Sequence, residues 1–367
     1  MSRTFRAFSM TPKVQFPTQF PGATDASVPA NHNASPHPWV GPWWAPLATV
    51  WAAVLGLRHL AYRVGLLTSR RGAIPTLVVG NLEVGGTGKT PTVIDLARRL
   101  SRRLGPGAVG VLSRGYGRAS KGVRWVAEAQ TWEDVGDEPW MMQRALPEVA
   151  VAVGADRLHA LDVMRAARPD LRVVVLDDGF QHRALKPDRS LLLLSRPLPA
   201  VGAWSVLPAG PWRDLPSARR RADVLACSPS LSPESRPAEA WVQRAATPRL
   251  TSLTGHATDA PALVVTGIAQ PGRLASVLAA TAPALAGWAC YPDHHAFTPR
   301  DLAAWNAWGA VHGVTHLVTT AKDHVRLEPW LDHLSGWTVS ILEHAVVWEQ
   351  PDRVDAWLET WLQTLPS

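Results

Sequence analysis

A glycine-rich segment between a hydrophobic run and a helical pattern carries the strongest chemical signal in the chain. It reads VVGNLEVGGTGKTP and extends from Val78 to Pro91. Glycines let backbone N–H groups turn toward phosphate oxygens, and the start of the following helix adds partial positive charge. We predict that Lys89 reaches the β- and γ-phosphates of a nucleoside triphosphate and that Thr90 holds Mg²⁺. The predicted phosphate-binding residues are Gly85, Gly86, Thr87, Gly88, Lys89 and Thr90.

This loop departs from the general pattern GxxxxGK[ST] at its first position, where Glu83 replaces glycine. The string GGTGKT is also similar to the loop of dimeric, membrane-recruited ATPases. Those ATPases carry a signature lysine at the position of Val84, so the sequence argues against that subclass. Nucleoside triphosphate binding remains the prediction.

A second element of a nucleotide site is predicted in VVVLDDGFQHRAL, residues 173–185. Four apolar residues run into Asp177 and Asp178, and the carboxyl ends of such strands are where α/β sheets bind ligands. Asp177 is therefore predicted to bind Mg²⁺. The alternative is an acidic turn at the surface, which is less favoured beside a phosphate loop.

The string TTAKDHV bears on the identity of the base. Proteins that bind guanine use [NT]KxD, whereas Lys322 and Asp323 are adjacent here, so ATP is favoured. The alternative interpretation of this pair is a surface ion pair of little energetic consequence.

Transfer of a phosphoryl group to a hydroxyl also requires a group that accepts the hydroxyl proton. DVGDEP offers Asp137 and Glu138 as candidates, although Asp followed by Glu-Pro is also a good helix start. His294 in PDHHAF is another, and at most one of that histidine pair is expected to be catalytic. Arg114 and Tyr116 follow a predicted strand and suit a phosphorylated, sugar-like ligand. Arg157 opens a helix, where the alternative is an exposed surface arginine.

Short β-rich runs alternate with helical patterns from Ile74 onward, and the continuous Val/Leu runs indicate strands buried on both faces. We predict an α/β fold with two α/β/α sandwich domains, the first of which is a mainly parallel sheet similar to phosphate-loop NTPases. The first domain is predicted over 73–228 and a smaller α/β domain over 229–367. The last helix is expected in the second domain, with packing back on the first as the alternative.

The N-terminal part of the chain is predicted to be different in kind. Residues 1–38 are rich in Pro, Ser, Thr, Ala and Asn without an apolar period, which predicts a disordered extension. Residues 39–72 are predicted to form a helix that lies in a membrane interface. Its apolar part, Trp43 to Leu57, is shorter than the roughly 20 residues of a spanning helix. The alternative is a buried core helix.

Composition excludes several classes of protein. The 367 residues contain 46% hydrophobic residues, no heptads and only two cysteines, which excludes a coiled coil and a disulfide scaffold. Lys and Arg number 37 against 30 for Asp and Glu, so the chain should attract anionic partners. Charge alone does not distinguish nucleic acid, acidic lipid and phosphorylated substrates.

Taken together, the motifs resemble one family. VGNLEVGGTGKTP, LSRGYGR, DVGDEP, VGADR, LDDGFQHRAL, LPAGPWRD, YPDHHAFT and TAKDHVRL occur in the order typical of tetraacyldisaccharide 4'-kinases (LpxK). The resemblance covers residues 39 to about 345. It implies an ATP- and Mg²⁺-dependent kinase that phosphorylates the 4'-hydroxyl of tetraacyldisaccharide 1-phosphate, giving the 1,4'-bisphosphate (lipid IVA) of lipid A biosynthesis.

The resemblance also implies roles for individual residues. Asp137 would be the catalytic base, supported by His294, while Lys89 and Arg157 would stabilise the transferring phosphoryl group. Metal-binding roles would fall on the set Thr90, Asp177 and Asp214, where Asp214 replaces a glutamate common in the family. Contacts with the disaccharide would fall on the set Arg114, Tyr116, Asp178, Gln181 and His182.

The expected partners follow from the same resemblance. They are the lipid A disaccharide 1-phosphate and a membrane containing anionic lipid, bound peripherally at the cytoplasmic face of a bacterial inner membrane. A monomer that binds no nucleic acid is expected. Two other classes stay open at this point: a membrane-recruited ATPase switch that phosphorylates nothing, and a non-enzymatic membrane scaffold.

Overall fold

The protein is described from a computed structural model. The structure describes residues 42–198, 205–229, 231–246, 249–253, 260–268, 271–279, 284–343 and 345–365. The predicted disordered extension, 1–38, therefore lies outside the described residues. The chain divides into two units, a smaller one of Arg249–Glu343 and a larger one on either side of it in sequence.

The strands, in chain order, are β1 (Thr76–Asn81), β2 (Val109–Ser113), β3 (Arg124–Trp125), β4 (Ala150–Val153), β5 (Val173–Asp177), β6 (Arg189–Leu194), β7 (Val224–Cys227), β8 (Trp241–Ala245), β9 (Arg249–Ser252), β10 (Ala262–Thr266), β11 (Leu285–Cys290), β12 (His316–Thr320), β13 (Thr338–Glu343) and β14 (Val346–Trp348).

The α-helices, in chain order, are α1 (Ala45–Arg63), α2 (Lys89–Leu104), α3 (Trp132–Val135), α4 (Asp137–Ala145), α5 (Arg157–Ala167), α6 (Pro271–Ala279), α7 (Pro299–His312), α8 (Ala321–Leu327) and α9 (Pro351–Leu362).

The larger unit is built on one sheet with the order β14-β8-β7-β6-β1-β5-β2-β4-β3. Its strands are parallel except for β3 and β14 at the two edges. The central strands are buried along their whole length, because alternate side chains face two separate cores. One core includes residues of α2, α4 and α9, and the other includes residues of α1 and α5. This arrangement confirms the predicted α/β/α fold and its mainly parallel sheet.

The strand order brings the chemical motifs to one edge of this sheet. β1 lies between β5 and β6, and β5 also pairs with β2. The carboxyl ends of parallel strands meet at the same edge, so the segments that follow β1, β2 and β5 are neighbours. These segments are the phosphate loop, the SRGYGR turn and the DDGFQH segment.

The boundary between the units differs from the predicted position at 228/229. β8 (Trp241–Ala245) pairs with β7, and β14 pairs with β8, so both belong to the larger sheet. The smaller unit is therefore an insertion between these two strands. α9 follows β14, and its buried residues Leu358 and Trp361 belong to a core of the larger unit.

The smaller unit has a sheet of its own with the order β11-β10-β12-β13-β9. Its strands are parallel except for β9, which pairs antiparallel with β13. One core packs this sheet against α7, with Trp305 fully buried, and another contains Leu274 and Leu278 of α6. This unit is a second α/β/α arrangement.

Helix α1 is shorter than the predicted segment 39–72 and has an unusual surface. Ala48 and Leu55 are buried in a core of the larger unit, whereas Val50 and Leu57 are 63% and 67% exposed. Among the described helices, none is long and apolar enough to cross a membrane. One face of the helix therefore packs on the larger unit, while other positions expose apolar side chains at the surface.

Candidate active site

The phosphate loop leaves the buried strand β1 and ends where α2 begins. Gly85 and Gly88 have φ values of 100° and 85°, which residues other than glycine rarely adopt. Asn81 Nδ2 donates a hydrogen bond to Thr87 Oγ1 (2.9 Å), which ties the start of the loop to its turn. Lys89 is the first residue of α2, so the positive end of the helix faces the loop. This is an anion-binding geometry.

The departure at Glu83 has a structural explanation. Its side chain is 1% exposed and accepts hydrogen bonds from the backbone N–H and hydroxyl of Ser195, at 2.6 and 2.7 Å. The backbone on either side pairs with the LPAGPWRD segment, through Val84 N–H to Pro211 O and Arg213 N–H to Leu82 O. A glutamate at this position therefore braces the loop from the side of β6.

Asp177 is the last residue of β5, the strand that pairs with β1 and therefore ends beside the phosphate loop. Ser113 Oγ donates to its Oδ2 (3.0 Å), while its buried Oδ1 has no hydrogen-bond partner. Burial, with the nearby charges of Glu138 and Asp178, raises the pKa of Asp177 to about 7. A buried carboxylate oxygen without a donor is suited to a cation, so this residue fits the predicted Mg²⁺ role.

The rest of the metal's ligands would come largely from the nucleotide. No group of three or more His, Cys, Asp or Glu side chains that could hold a metal is found in the described part of the chain. Mg²⁺ bound to nucleotides is commonly held by one or two protein ligands, phosphate oxygens and water. Asp177 and the hydroxyl of Thr90 are the candidate protein ligands.

Asp178 is surrounded by cations. Lys89 Nζ lies 3.8 Å from its Oδ1, and the guanidinium of Arg213 contacts both carboxylate oxygens. Burial alone opposes ionisation, but the Arg213 hydrogen bonds and the Lys89 charge hold the pKa of Asp178 below its usual value. Arg213 also donates to Asn81, so it connects the metal-side carboxylates with the phosphate loop. No role for Arg213 is predicted from the sequence, although it lies within LPAGPWRD.

Arg157 is buried at the start of α5, where the Asp156 side chain accepts from the N–H groups of Leu158 and His159. Its guanidinium donates to the carbonyl oxygens of Gly154 and Asp177. Burial lowers its pKa to about 10, partly offset by Asp177 and Asp178, so it is a cation at neutral pH. The alternative interpretation as an exposed surface arginine is wrong, because 3% of the residue is exposed.

Asp137 is the buried first residue of α4. Its Oδ1 accepts a hydrogen bond from the N–H of the next residue, Glu138, at 2.8 Å, while the N-cap position of the helix is Gly136. The neighbouring Glu138 acts on Asp177 electrostatically, which places the start of α4 at the metal side of the site. Glu138 is the second carboxylate that DVGDEP offers as a candidate base.

The predicted acceptor-side residues lie in two adjacent turns. Arg114 and Tyr116 are exposed in the SRGYGR turn, with Tyr116 78% exposed. Gln181 Nε2 donates to Asn81 O (2.8 Å), while His182 has a buried Nε2 without a partner. Burial, followed by the charge of Arg157 and other arginines, lowers the pKa of His182. These turns border the carboxylates and the phosphate loop.

Helix α1 contacts the acceptor-side turn through its polar side chains. Arg58 donates to Gln181 O (2.9 Å), and the Arg183 guanidinium lies 4.3 Å from the centre of the Tyr62 ring. His59 Nε2 lies 2.9 Å from Asp214 Oδ1. The apolar helix is therefore attached directly to the DDGFQH segment.

Asp214 has different partners from those of the predicted metal site. Besides its contact with His59, Asp214 accepts hydrogen bonds from Arg221 at 3.0 Å and from the Leu215 N–H at 2.8 Å. Burial opposes its ionisation, but the contacts with His59 and Arg221 hold its pKa below the usual value. Its Oδ1 therefore contacts His59 of α1, and its Oδ2 contacts Arg221 in the segment that follows LPAGPWRD.

His294 belongs to the smaller unit, in the turn after β11, and has a φ of 61°. Its catalytic role stays a prediction.

Comparisons with known proteins decide the family. Residues 41–363 match the family model for tetraacyldisaccharide-1-P 4'-kinase (LpxK). The chain belongs to this family. A tetraacyldisaccharide 4'-kinase of Anaeromyxobacter dehalogenans is 36% identical over 310 residues, covering 77% of this chain and 80% of that protein. One from Delftia acidovorans is 34% identical over 305 residues, covering 81% and 85%.

A solved structure agrees with both fold and family. The crystal structure of LpxK from Aquifex aeolicus in complex with ATP has a TM-score of 0.68 and 26% identity, covering 87% of this chain and 98% of that one. The predicted resemblance is confirmed, and this tetraacyldisaccharide 4'-kinase family member is a kinase of lipid A biosynthesis. A non-enzymatic scaffold is excluded.

The raised pKa of Asp177 predicts a pH-dependent stability. Between its usual value of 3.8 and about 7, the folded state keeps a proton that the unfolded state loses, so stability falls as pH rises. Without Mg²⁺, the unfolding free energy of Asp177→Asn relative to wild type should increase by about 3 kcal/mol between pH 5 and pH 8. Urea unfolding measures this difference. The exposed control Asp162→Asn should show none, and equal differences at both pH values for Asp177→Asn would contradict the assignment.

The contact between Asp214 and His59 predicts that substituting either residue destabilises α1 to a similar extent. If this carboxylate fixes α1, Asp214→Ala and His59→Ala should both increase hydrogen exchange in α1, by roughly tenfold for a loss of about 1.4 kcal/mol. Mg²⁺ affinity in the presence of ATP should stay within about twofold of wild type. Unchanged exchange together with weakened Mg²⁺ binding in Asp214→Ala would instead support the predicted metal-binding role of Asp214.

Proposed function

We propose that this protein transfers the γ-phosphoryl group of ATP to the 4'-hydroxyl of tetraacyldisaccharide 1-phosphate, giving the 1,4'-bisphosphate. The main support is the buried edge where the phosphate loop, Asp177 and Arg157 meet in a chain of this family. Relatives are named for this reaction, and the similar solved structure holds ATP. The ATPase-switch alternative has less support, because this chain lacks the signature lysine at Val84.

The phosphate side of the reaction is assigned to the larger unit. The loop N–H groups of Gly85 to Gly88 and the Lys89 ammonium would bind the β- and γ-phosphates. Arg157, buried beside Asp177, would stabilise charge on the phosphoryl group as it moves. Mg²⁺, held by Asp177 and Thr90, would neutralise phosphate charge when bound.

The hydroxyl side is assigned to Asp137 as the base that accepts the proton. Its burial at the start of α4 and the proximity of Glu138 to Asp177 support a position near the phosphates. Arg114, Tyr116, Asp178, Gln181 and His182 are proposed contacts of the disaccharide. The assistance that the sequence predicts from His294 stays a prediction.

The location proposed for the reaction is the surface of a membrane that contains anionic lipid, at the cytoplasmic face of the bacterial inner membrane. Support comes from the exposed apolar side chains at and before α1, beside the basic residues Arg58 and Arg183. The exposed set includes Trp43, Leu47, Val50, Trp51, Val54, Leu57 and Leu60. An acyl substrate that stays in the bilayer would then meet the DDGFQH segment to which α1 is attached. We propose that the protein acts as a monomer and needs no nucleic acid.

Asp137→Asn separates the catalytic role of Asp137 from a capping role. Asparagine keeps an oxygen that can accept from the Glu138 N–H, but it cannot take a proton. We expect kcat for lipid phosphorylation to fall by roughly 10²- to 10⁴-fold, with ATP affinity kept within about threefold. Transfer of label from γ-labelled ATP to the lipid measures kcat, and equilibrium titration measures affinity. Turnover close to wild type would leave Asp137 as a capping residue.

The exposed face of α1 predicts a selective loss of membrane binding. In the double variant Val50→Ser and Leu57→Ser, two large apolar contacts with the bilayer are lost. Binding to vesicles with anionic lipid should weaken by roughly tenfold or more, whereas ATP affinity should not change. Val311→Ser is the matched control, because Val311 is 80% exposed on α7 of the smaller unit. Equal vesicle binding by the double variant and the control would contradict the interfacial role of α1.

A further inference from the structure

The turn that carries His294 is held in a conformation that its sequence does not favour. His294 is one of two described residues other than glycine with positive φ, at 61°. Its N–H donates to Gly267 O (3.2 Å), after β10, and to Asp293 Oδ1 (3.1 Å). Left-handed backbone at a histidine persists only where its surroundings fix it. The ring is therefore presented at a defined place beyond the ends of β10 and β11.

Lys322 contacts this ring from the first turn of α8. Its Nζ lies 3.3 Å from His294 Nε2 and 3.4 Å from Asp293 Oδ1, and 18% of its side chain is exposed. The second oxygen of Asp293 lies 3.7 Å from His294 Nε2, beyond hydrogen-bond distance. The ammonium thus lies between the carboxylate and the imidazole and contacts both.

The backbone around Lys322 is fixed by a buried ion pair. Asp323 is fully buried and accepts from the Gly267 N–H (2.9 Å) and Thr266 Oγ1 (2.8 Å). Arg326 contacts Asp323 and also donates to Gly267 O at 2.9 Å. The start of α8 is therefore tied to the end of β10. The interpretation of Lys322 and Asp323 as a surface ion pair is wrong, since Asp323 pairs with Arg326 and Lys322 contacts Asp293.

An ammonium can only donate hydrogen bonds, so the nitrogen it contacts must accept one. A neutral imidazole that accepts at Nε2 carries its proton at Nδ1. From this geometry we propose that Lys322 is a positioning residue that holds His294 in the neutral Nδ1–H form. Its contact with Asp293 sets the direction of the ammonium, and the ion pair of Asp323 and Arg326 sets the backbone from which Lys322 extends.

The consequence for catalysis rests on the proposed function. A histidine that supports a carboxylate base does so by donating an N–H to it, which requires one defined tautomer. With Nε2 accepting from Lys322, the ring nitrogen that can donate is Nδ1. Loss of Lys322 would let Asp293 accept from Nε2–H instead, and Nδ1 would then lack the proton that it donates.

Nitrogen NMR of the full-length protein labelled with ¹⁵N-histidine tests the tautomer directly. The chain has 13 histidines, and the His294 signal is assigned by its absence in His294→Gln. At a pH about two units above the usual histidine pKa of ~6.5, we expect the Nδ1–H form in wild type and in Lys322→Arg. Lys322→Met should shift His294 mainly to Nε2–H, whereas the exposed control Arg300→Met should not.

Kinetics of the same variants supply the second readout. Lys322→Met should lower kcat for lipid phosphorylation by roughly tenfold or more with KM for ATP unchanged, and Lys322→Arg should restore most of it. An Nε2–H ring in wild type, no change in the Lys322→Met tautomer, or an unchanged kcat would overturn the proposal. If wild type phosphorylated no lipid, the proposed function would fail, while the tautomer spectra would still decide whether Lys322 controls His294.

Discussion

A buried carboxylate, Asp177, followed directly by a half-buried one, Asp178, at the end of one parallel strand is the constraint on which the rest of the larger unit depends. Asp177 and Asp178 follow β5 at the edge where the phosphate loop begins, and charges there are costly without compensation. Lys89, Arg157 and Arg213 supply that compensation from three separate segments. The two carboxylates are compensated unequally. Asp178 contacts the side chains of Lys89 and Arg213, whereas Asp177 keeps one oxygen without a hydrogen-bond donor. Because of this difference, Asp177 is suited to bind a metal ion, whereas Asp178 is already paired with the cationic side chains of Lys89 and Arg213.

The same edge also connects catalysis with the surface helix. α1 combines exposed apolar side chains with polar contacts to the segment after Asp178, through Arg58 to Gln181 O and His59 to Asp214. A helix that only covered the core would need no such contacts. Docking of its apolar face on a bilayer would therefore place the acceptor-side turn at the lipid surface without any large rearrangement of the unit.

Much of this could be predicted from sequence, because the central strands are continuous apolar runs and the phosphate loop has a distinctive glycine pattern. The strands β8 and β14 were missed, since they are the last two strands at one side of the sheet and sequences such as WVQRA of β8 mix polar and apolar residues. Missing them moved the predicted boundary from Arg249 to 229. Arg213 was missed for another reason: its importance lies in contacts with Asp178 and Asn81, which are distant in sequence and which no local spacing encodes. Asp214 matched a motif position, but its partner His59 lies on α1, far away in sequence.

The most direct test of this account is the fate of the γ-phosphoryl group in the wild-type protein. Purified full-length protein would be incubated with Mg²⁺, γ-labelled ATP and tetraacyldisaccharide 1-phosphate in detergent micelles, and the label in lipid and in free phosphate counted. We expect the label to appear in a bisphosphorylated lipid and ATP consumption to depend on the added disaccharide. Intact ATP binding with label released only as free phosphate would contradict it and favour the ATPase switch.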